Sequence, residues 1–229
     1  MRVGLLVCDH INEKLHHIAT DYHSMFSDFL PDLELVPYYA CEGQLPENPD
    51  KEEAYICTGS SYSVYSNEDW IQQAKRFTKE VFHAQKKYVG ICFGHQLIAE
   101  SLGGKVEPAS QGWCIGIHDF QLSRNELLPE IVERFSVLMM CQDQVVDLPE
   151  GAEVLASSDS CRHGMYMVSD HFLGIQGHPE FSKAYNQALY NLRSERIPSQ
   201  KRTDADSSLE RDPDKNQLSK MIHRFLKLR

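Results

Sequence analysis

The sequence contains no run of the ~18 apolar residues that a bilayer-spanning helix needs, no C-x-x-C pair and no excess of positive charge. Each absence narrows the reading. No membrane segment is expected. The seven cysteines stand singly at positions 8, 41, 57, 92, 114, 141 and 161, which supports neither a zinc knuckle nor a dithiol redox motif. Acidic residues number 33 against 23 basic ones, a net charge of −10. A nucleic-acid binder carries a basic footprint, so nucleic acid is not an expected partner. Missing too are G-x-x-x-x-G-K-[ST], H-E-x-x-H and G-x-S-x-G, which removes the motif support for phosphate-loop, zinc-protease and serine-hydrolase chemistry. No metal, nucleotide or flavin cofactor is expected. The opening residues, MRVGLLVCDH, hold too short an apolar run for a secretory signal. With scattered thiols, this points to a cytoplasmic location.

What is present suits a soluble α/β chain. Hydrophobic residues make up 41% of its 229 residues and charged ones 24%, close to the globular average. Short apolar runs at 4–7, 34–39 and 54–57 read as strands, with Pro37 marking the second as an edge or strand end. Trp70, Ile71, Ala74, Phe77 and Val81 fall on one face of a helix predicted over 68–84. A strand over 87–91 and a helix over 96–102, stopped by Gly103-Gly104, follow. Strands alternating with helices imply a mostly parallel sheet. Apolar runs at 115–122, 135–140, 153–156, 165–168 and 172–175 suit antiparallel strands and returning strands of that sheet. Ser182 caps a helix expected to run to about Arg193. The expected organisation is one domain over 1–195, a linker over 196–214 without apolar period, and a basic amphipathic helix over 215–229. The stripe of that helix is Leu218, Met221, Ile222, Phe225 and Leu226, and it is expected to dock on its own acidic body.

Two motifs carry chemistry. Gly90-Ile91-Cys92-Phe93-Gly94 joins a strand to a helix as G-x-[SC]-x-G, the pattern of a nucleophile elbow. The glycines allow the close backbone approach such a turn requires. The start of the helix favours an anion at the nucleophile. Far downstream stands Gln176-Gly177-His178-Pro179-Glu180. Pro179 biases His178 toward extended backbone, so His178 and Glu180 project to the same side. A carboxylate on one imidazole nitrogen leaves the other to serve a thiol. The other reading of Cys92, one more buried thiol among seven, is set aside because the G-x-C-x-G pattern follows a strand. His95 reads as a structural residue, and the adjacent His16 and His17 as surface residues.

Over about 50 to 190 the sequence resembles the class I, triad-type glutamine amidotransferases, whose G-x-C-x-G-x-Q and H-P-E signatures are unbroken here. Within them it is most similar to the freestanding branch with G-I-C-F-G-H-Q and Q-G-H-P-E, which includes γ-glutamyl peptidases. The resemblance implies a three-layer, flavodoxin-like α/β/α sandwich with a mixed, mostly parallel sheet. It also implies roles. Cys92 would be the nucleophile, His178 the base and Glu180 its orienting partner. Backbone N–H groups of Gly59, Ser60 and Phe93 would form the oxyanion hole, and Gln96, Gly112 and Trp113 would contact substrate. Three places depart from the family pattern. Ser60-Ser61 replaces the frequent Gly-Pro, which costs little because a backbone donor needs no particular side chain. Cys141 stands where relatives carry His, which alters the pocket wall. Gly177 stands where many carry Phe, which is expected to leave room beside the base.

The implied substrate is glutamine or another γ-glutamyl compound, cleaved through a thioester on Cys92. Three readings stay open: a self-sufficient γ-glutamyl hydrolase or transferase, a glutaminase feeding ammonia to a separate synthetase chain, and a binding or regulatory protein that has kept the fold without the chemistry.

Overall fold

A computed structural model describes residues 1–123 and 133–228. Eleven strands are described: β1 (Arg2–Leu6), β2 (Glu34–Tyr38), β3 (Ala54–Cys57), β4 (Lys87–Ile91), β5 (Lys105–Pro108), β6 (Cys114–Leu122), β7 (Arg134–Cys141), β8 (Asp143–Asp147), β9 (Ala152–Ser158), β10 (Cys161–Val168) and β11 (Phe172–Ile175). Nine of them form one sheet in the order β2-β1-β3-β4-β11-β10-β9-β6-β7, and β5 and β8 form a separate ribbon. Pairing is parallel from β2 through β11 and antiparallel from β11 to β7. Parallel geometry thus governs the half that carries Cys92. β2 is an outer strand, where Pro37 costs no ladder bond on the open side.

Helices cover both faces. They are α1 (Tyr22–Phe29), α2 (Asp69–His83), α3 (Phe93–Ser101), α4 (Lys183–Leu192), α5 (Ser199–Ser208) and α6 (Lys215–Lys227). The alternation of each strand sorts the core into two layers. Val3, Leu5, Ala54, Ile56, Val89 and Ile91 point toward the layer of α1, α4 and α6. Leu6, Tyr55, Cys57 and Tyr88 point toward the layer of α2 and α3. The result is the three-layer α/β/α sandwich expected from the sequence. Among the described residues no helix is long and apolar enough to cross a membrane.

Three local findings refine the sequence reading. α1 was not foreseen, although its residues announce it: the Asp21 carboxylate accepts from Ser24 N at 2.7 Å as an N-cap, and Tyr22, Met25, Phe26 and Phe29 bury one face. α3 begins at Phe93 rather than Gln96, so Cys92 is its cap. Residues 196–214, expected as a linker, contain α5 instead. Its sequence is polar and only Ala205 is buried, so propensity pattern gives little sign of it. The helix is held by β6: Ile117 N donates to Ser208 Oγ at 2.8 Å, and Arg211 pairs with Asp119 at 2.6 Å. Gly116, at φ +79°, lets the two elements touch, since a Cβ there would lie 2.5 Å from Ser208 Oγ.

α6 buries its entire predicted stripe of Leu218, Met221, Ile222, Phe225 and Leu226. Phe225 is fully enclosed, and Lys87 Nζ lies 4.9 Å from its ring centre. Deleting that ring leaves a cavity as well as losing transfer energy, so Phe225→Ala is expected to cost about 3–5 kcal/mol. A lowered urea midpoint with unchanged slope would report it.

Candidate active site

The elbow is built by collision avoidance. β4 ends at Ile91, α3 starts at Phe93, and Cys92 between them takes φ 51°, ψ −98°. For a residue with a side chain, such a backbone costs on the order of 1–3 kcal/mol and persists only where the surroundings hold it. Here Cys92 N donates to Ile175 O at 2.9 Å, Gln96 N to Cys92 O at 3.0 Å and Gly94 N to Thr58 O at 3.2 Å. A Cβ on Gly90 would stand 2.3 Å from Gly94 O, and one on Gly94 would stand 2.5 Å from Cys57 O. Both glycines are therefore steric requirements of the turn.

β11 continues into the second motif and carries it to the same place. His178 Nδ1 and Glu180 Oε1 are 2.7 Å apart, both side chains buried. His178 N donates to Leu138 O at 2.7 Å, and its ring stacks on Phe181 with centroids 4.0 Å apart. Burial disfavours the imidazolium, but the Glu180 carboxylate and Cys92 outweigh it and raise the His178 pKa to about 10. The pair is braced from behind by α6, where Lys215 Nζ donates to Glu180 O at 3.1 Å. Burial pushes the Lys215 pKa down, against the attraction of Glu180 and Asp28.

Cys92 opens into a small cavity of about 60 Å³ shared with Ser60, Gln96, Trp113, Cys141 and Asp143. Larger cavities of about 550 and 630 Å³ lie along α6; geometry rather than volume singles out the smaller one. Ser60 reaches the cavity from the loop after β3. Gly59, beside it, packs under the base, with 2.7 Å between its would-be Cβ and His178 Cε1. Phe93 is the first residue of α3, so its N–H has no intrahelical acceptor. Gln96 Nε2 donates to Asp143 O at 2.8 Å and to Gln176 Oε1 at 3.3 Å. Trp113 forms part of the wall. Gly112 does not: at φ +71° it closes the turn before β6, with its N–H on Ala109 O.

The structure also places the other positions singled out in the sequence. The room expected beside the base at Gly177 is occupied, because a Cβ there would meet Val137 Cγ1 at 2.5 Å. Cys141 does form cavity wall, directly opposite Cys114 in the β6–β7 register. A hydrogen bond from Cys141 draws the Cys114 pKa down to about 7 and, with burial, pushes that of Cys141 up. His95 is a core residue: fully buried, its ring tilted against that of Tyr166 at 4.6 Å between centroids, and pushed by burial to a pKa of about 3. Sequence reasoning gave Gln176 no role, yet its Nε2 donates to Cys92 Sγ at 3.5 Å. Its place within Gln176-Gly177-His178-Pro179-Glu180 was the available signal. Arg193 and Arg196, which also line the cavity, had none. Among the described residues no group of three or more His, Cys, Asp or Glu could hold a metal ion.

Known proteins share this architecture. Residues 32–192 match the family model for glutamine amidotransferase class-I. Gamma-glutamyl peptidase 4 of Arabidopsis thaliana is 36% identical over 172 residues, which cover 71% of this chain and 68% of that protein. The GMP synthase [glutamine-hydrolyzing] of Clostridium novyi is 34% identical over 151 residues, 64% of this chain but 28% of that one. A crystal structure of a glutamine amidotransferase from Thermotoga maritima superposes with a TM-score of 0.75 at 17% identity, covering 100% of this chain and 99% of the other.

The raised His178 pKa has a direct consequence. Relative to its ordinary value of 6.5, the group adds stability in full below about pH 6.5 and loses it as pH rises through about 10. In an NMR titration the His178 ring is expected to change charge near pH 10, and Glu180→Gln to move that midpoint downward. A midpoint left in place by Glu180→Gln would remove the carboxylate as its cause.

Proposed function

We propose, for a chain that belongs to the glutamine amidotransferase class-I family, the cleavage of γ-glutamyl amide bonds through a thioester on Cys92. The observation that carries this is the convergence of two distant motifs. A cysteine at a strand-to-helix elbow, open to a small cavity, stands beside a His–Glu pair 2.7 Å apart, with Cys92 a hydrogen-bond partner of His178. In the resting pair the thiol proton already sits on His178, as its raised pKa implies, and Sγ attacks the γ-carbonyl carbon. The oxyanion that forms accepts from Phe93 N–H and from the loop amides at Gly59 and Ser60, donors worth about 3–4 kcal/mol each. Collapse breaks the C–N bond, and the proton on His178 passes to the leaving nitrogen. Water, deprotonated by His178, then opens the thioester and restores the thiol; an amine in its place gives transfer. Glu180 fixes the imidazole tautomer and supports its positive charge. Gln176 and Gln96 link Cys92 to Asp143 and hold that wall. Gln96 and Trp113 line the part of the cavity that takes the glutamyl arm, and Gly112 sets the turn that presents Trp113. No cofactor takes part in these steps.

The preferred reading is a chain that acts alone on small γ-glutamyl compounds, supported by the similarity to a gamma-glutamyl peptidase over 68% of that protein's length. A second reading, with ammonia passed to a synthetase chain, is supported by the match to a 28% portion of a GMP synthase.

The purified chain is expected to cleave γ-glutamyl dipeptides faster than it releases ammonia from glutamine. Strong glutaminase activity that appears only beside a synthetase would favour the second reading. Cys92→Ala should abolish turnover of every substrate, and full activity in that variant would overturn the mechanism. Glu180→Gln should lower kcat by about 10²–10⁴-fold while the mass of a trapped acyl-enzyme stays observable.

A further inference from the structure

The molecule is acidic, yet the cavity beside Cys92 is lined by two arginines against one carboxylate, Asp143. Arg193 caps the C-terminal end of α4 and Arg196 follows one turn later, its N–H on Arg193 O at 2.9 Å. Both side chains line the cavity. Both guanidiniums stand over Trp113, at 5.9 and 5.4 Å from its ring centre. From α5, Lys201 Nζ donates to the backbone Trp113 O at 2.8 Å and brings a third cation to the same residue. None of the ion pairs among the described residues includes Arg193, Arg196 or Lys201. In a chain of net charge −10, two guanidiniums that line a nucleophile's cavity and form no ion pair, even with Asp143 of the same lining, are available for an anion.

The gradient of exposure says which end of a substrate meets them. Cys92 and Gln96 are 5% and 4% exposed, Arg193 is half-buried and Arg196 is exposed. The acyl part stays on the enzyme as the thioester while the leaving amine departs, so the amine side must face the open end. Arginine presents a fork of donors that matches a carboxylate, and stacking on Trp113 pre-orders that fork. Both arginines lie just beyond the 32–192 span that the family model matches.

We infer that Arg193 and Arg196 bind a carboxylate on the leaving-group side of the scissile bond, which makes the substrate class γ-glutamyl amino acids and short γ-glutamyl peptides with a free C-terminal carboxylate. This rests on the γ-glutamyl reading given above. Free glutamine, whose leaving group is ammonia, has nothing for these residues to hold.

The test compares γ-glutamylglycine with γ-glutamylglycinamide, which differ only in that carboxylate. The unaltered chain is expected to favour the acid in kcat/KM by about tenfold, a figure that allows for solvent screening at an exposed site. Arg193→Gln combined with Arg196→Gln should collapse that preference, mainly through KM for the acid. Arg196→Gln alone, at an exposed position, should reduce it in a chain whose folding is not in question. High salt should erode the preference of the unaltered chain. A preference unchanged by the substitutions, or an equal loss on both substrates, would overturn the assignment; the latter would place the arginines on the glutamyl α-carboxylate or in packing on Trp113. Cleavage of neither peptide by the unaltered chain would overturn the γ-glutamyl reading as well.

Discussion

The close approach of α3 to the ends of β3 and β4 is the constraint on which the site depends. At Gly90 and Gly94 the backbones pass so near one another that no side chain fits. That proximity turns the chain sharply enough to hold Cys92 in a left-handed conformation at the start of a helix. A residue in such a conformation relaxes if its neighbours allow it. Parallel strands on either side and hydrogen bonds from Cys92 to β11 and from Gly94 to the loop after β3 prevent this. The thiol is thereby presented above the sheet, in one orientation, before any substrate arrives.

The second half of the molecule places His178 beside that thiol. His178 is pinned through its own N–H to β7, and Gly177 packs on Val137 of the same strand. Glu180 is held from the rear by Lys215 of α6. Asp214, just before α6, accepts from both Ser136 N and Ser136 Oγ of β7. The C-terminal helix and the antiparallel strands are thus tied to each other and to the His–Glu pair. A buried imidazole beside a buried carboxylate has few ways to move, and the stacking of Phe181 removes more. The rigidity that lets Glu180 sustain the charge on His178 comes from elements outside both motifs.

The motifs themselves, and the strands before them, were legible in the sequence because their signals are local. A glycine pair around a cysteine, an apolar stripe at 3.6-residue spacing, and Ser182 ahead of a helix each act over a few residues. The edge position of β2 was legible from Pro37 for the same reason. α5 was not, because nothing within 199–208 favours a helix strongly. It forms where Ser208 and Ala205 meet the bare backbone of Gly116, a contact across about ninety residues of chain. Gly177 shows the opposite error: the absence of a side chain suggested open space, and the space belongs to Val137.

The sequence by itself determined the layered α/β class, the elbow at Cys92 and the pairing of His178 with Glu180. Each follows from chain neighbours two to four residues apart, where backbone geometry leaves little choice. Tertiary structure alone decided that His178 comes beside Cys92, that Gln176 reaches the thiol, and that Trp113, Arg193 and Arg196 line the cavity next to it. Those arrangements join residues far apart in the chain, and their positions depend on how strands order themselves in the sheet and how α4 through α6 fold back over it. Packing fixes such distances, and packing is a property of the whole fold that no local stretch of sequence carries.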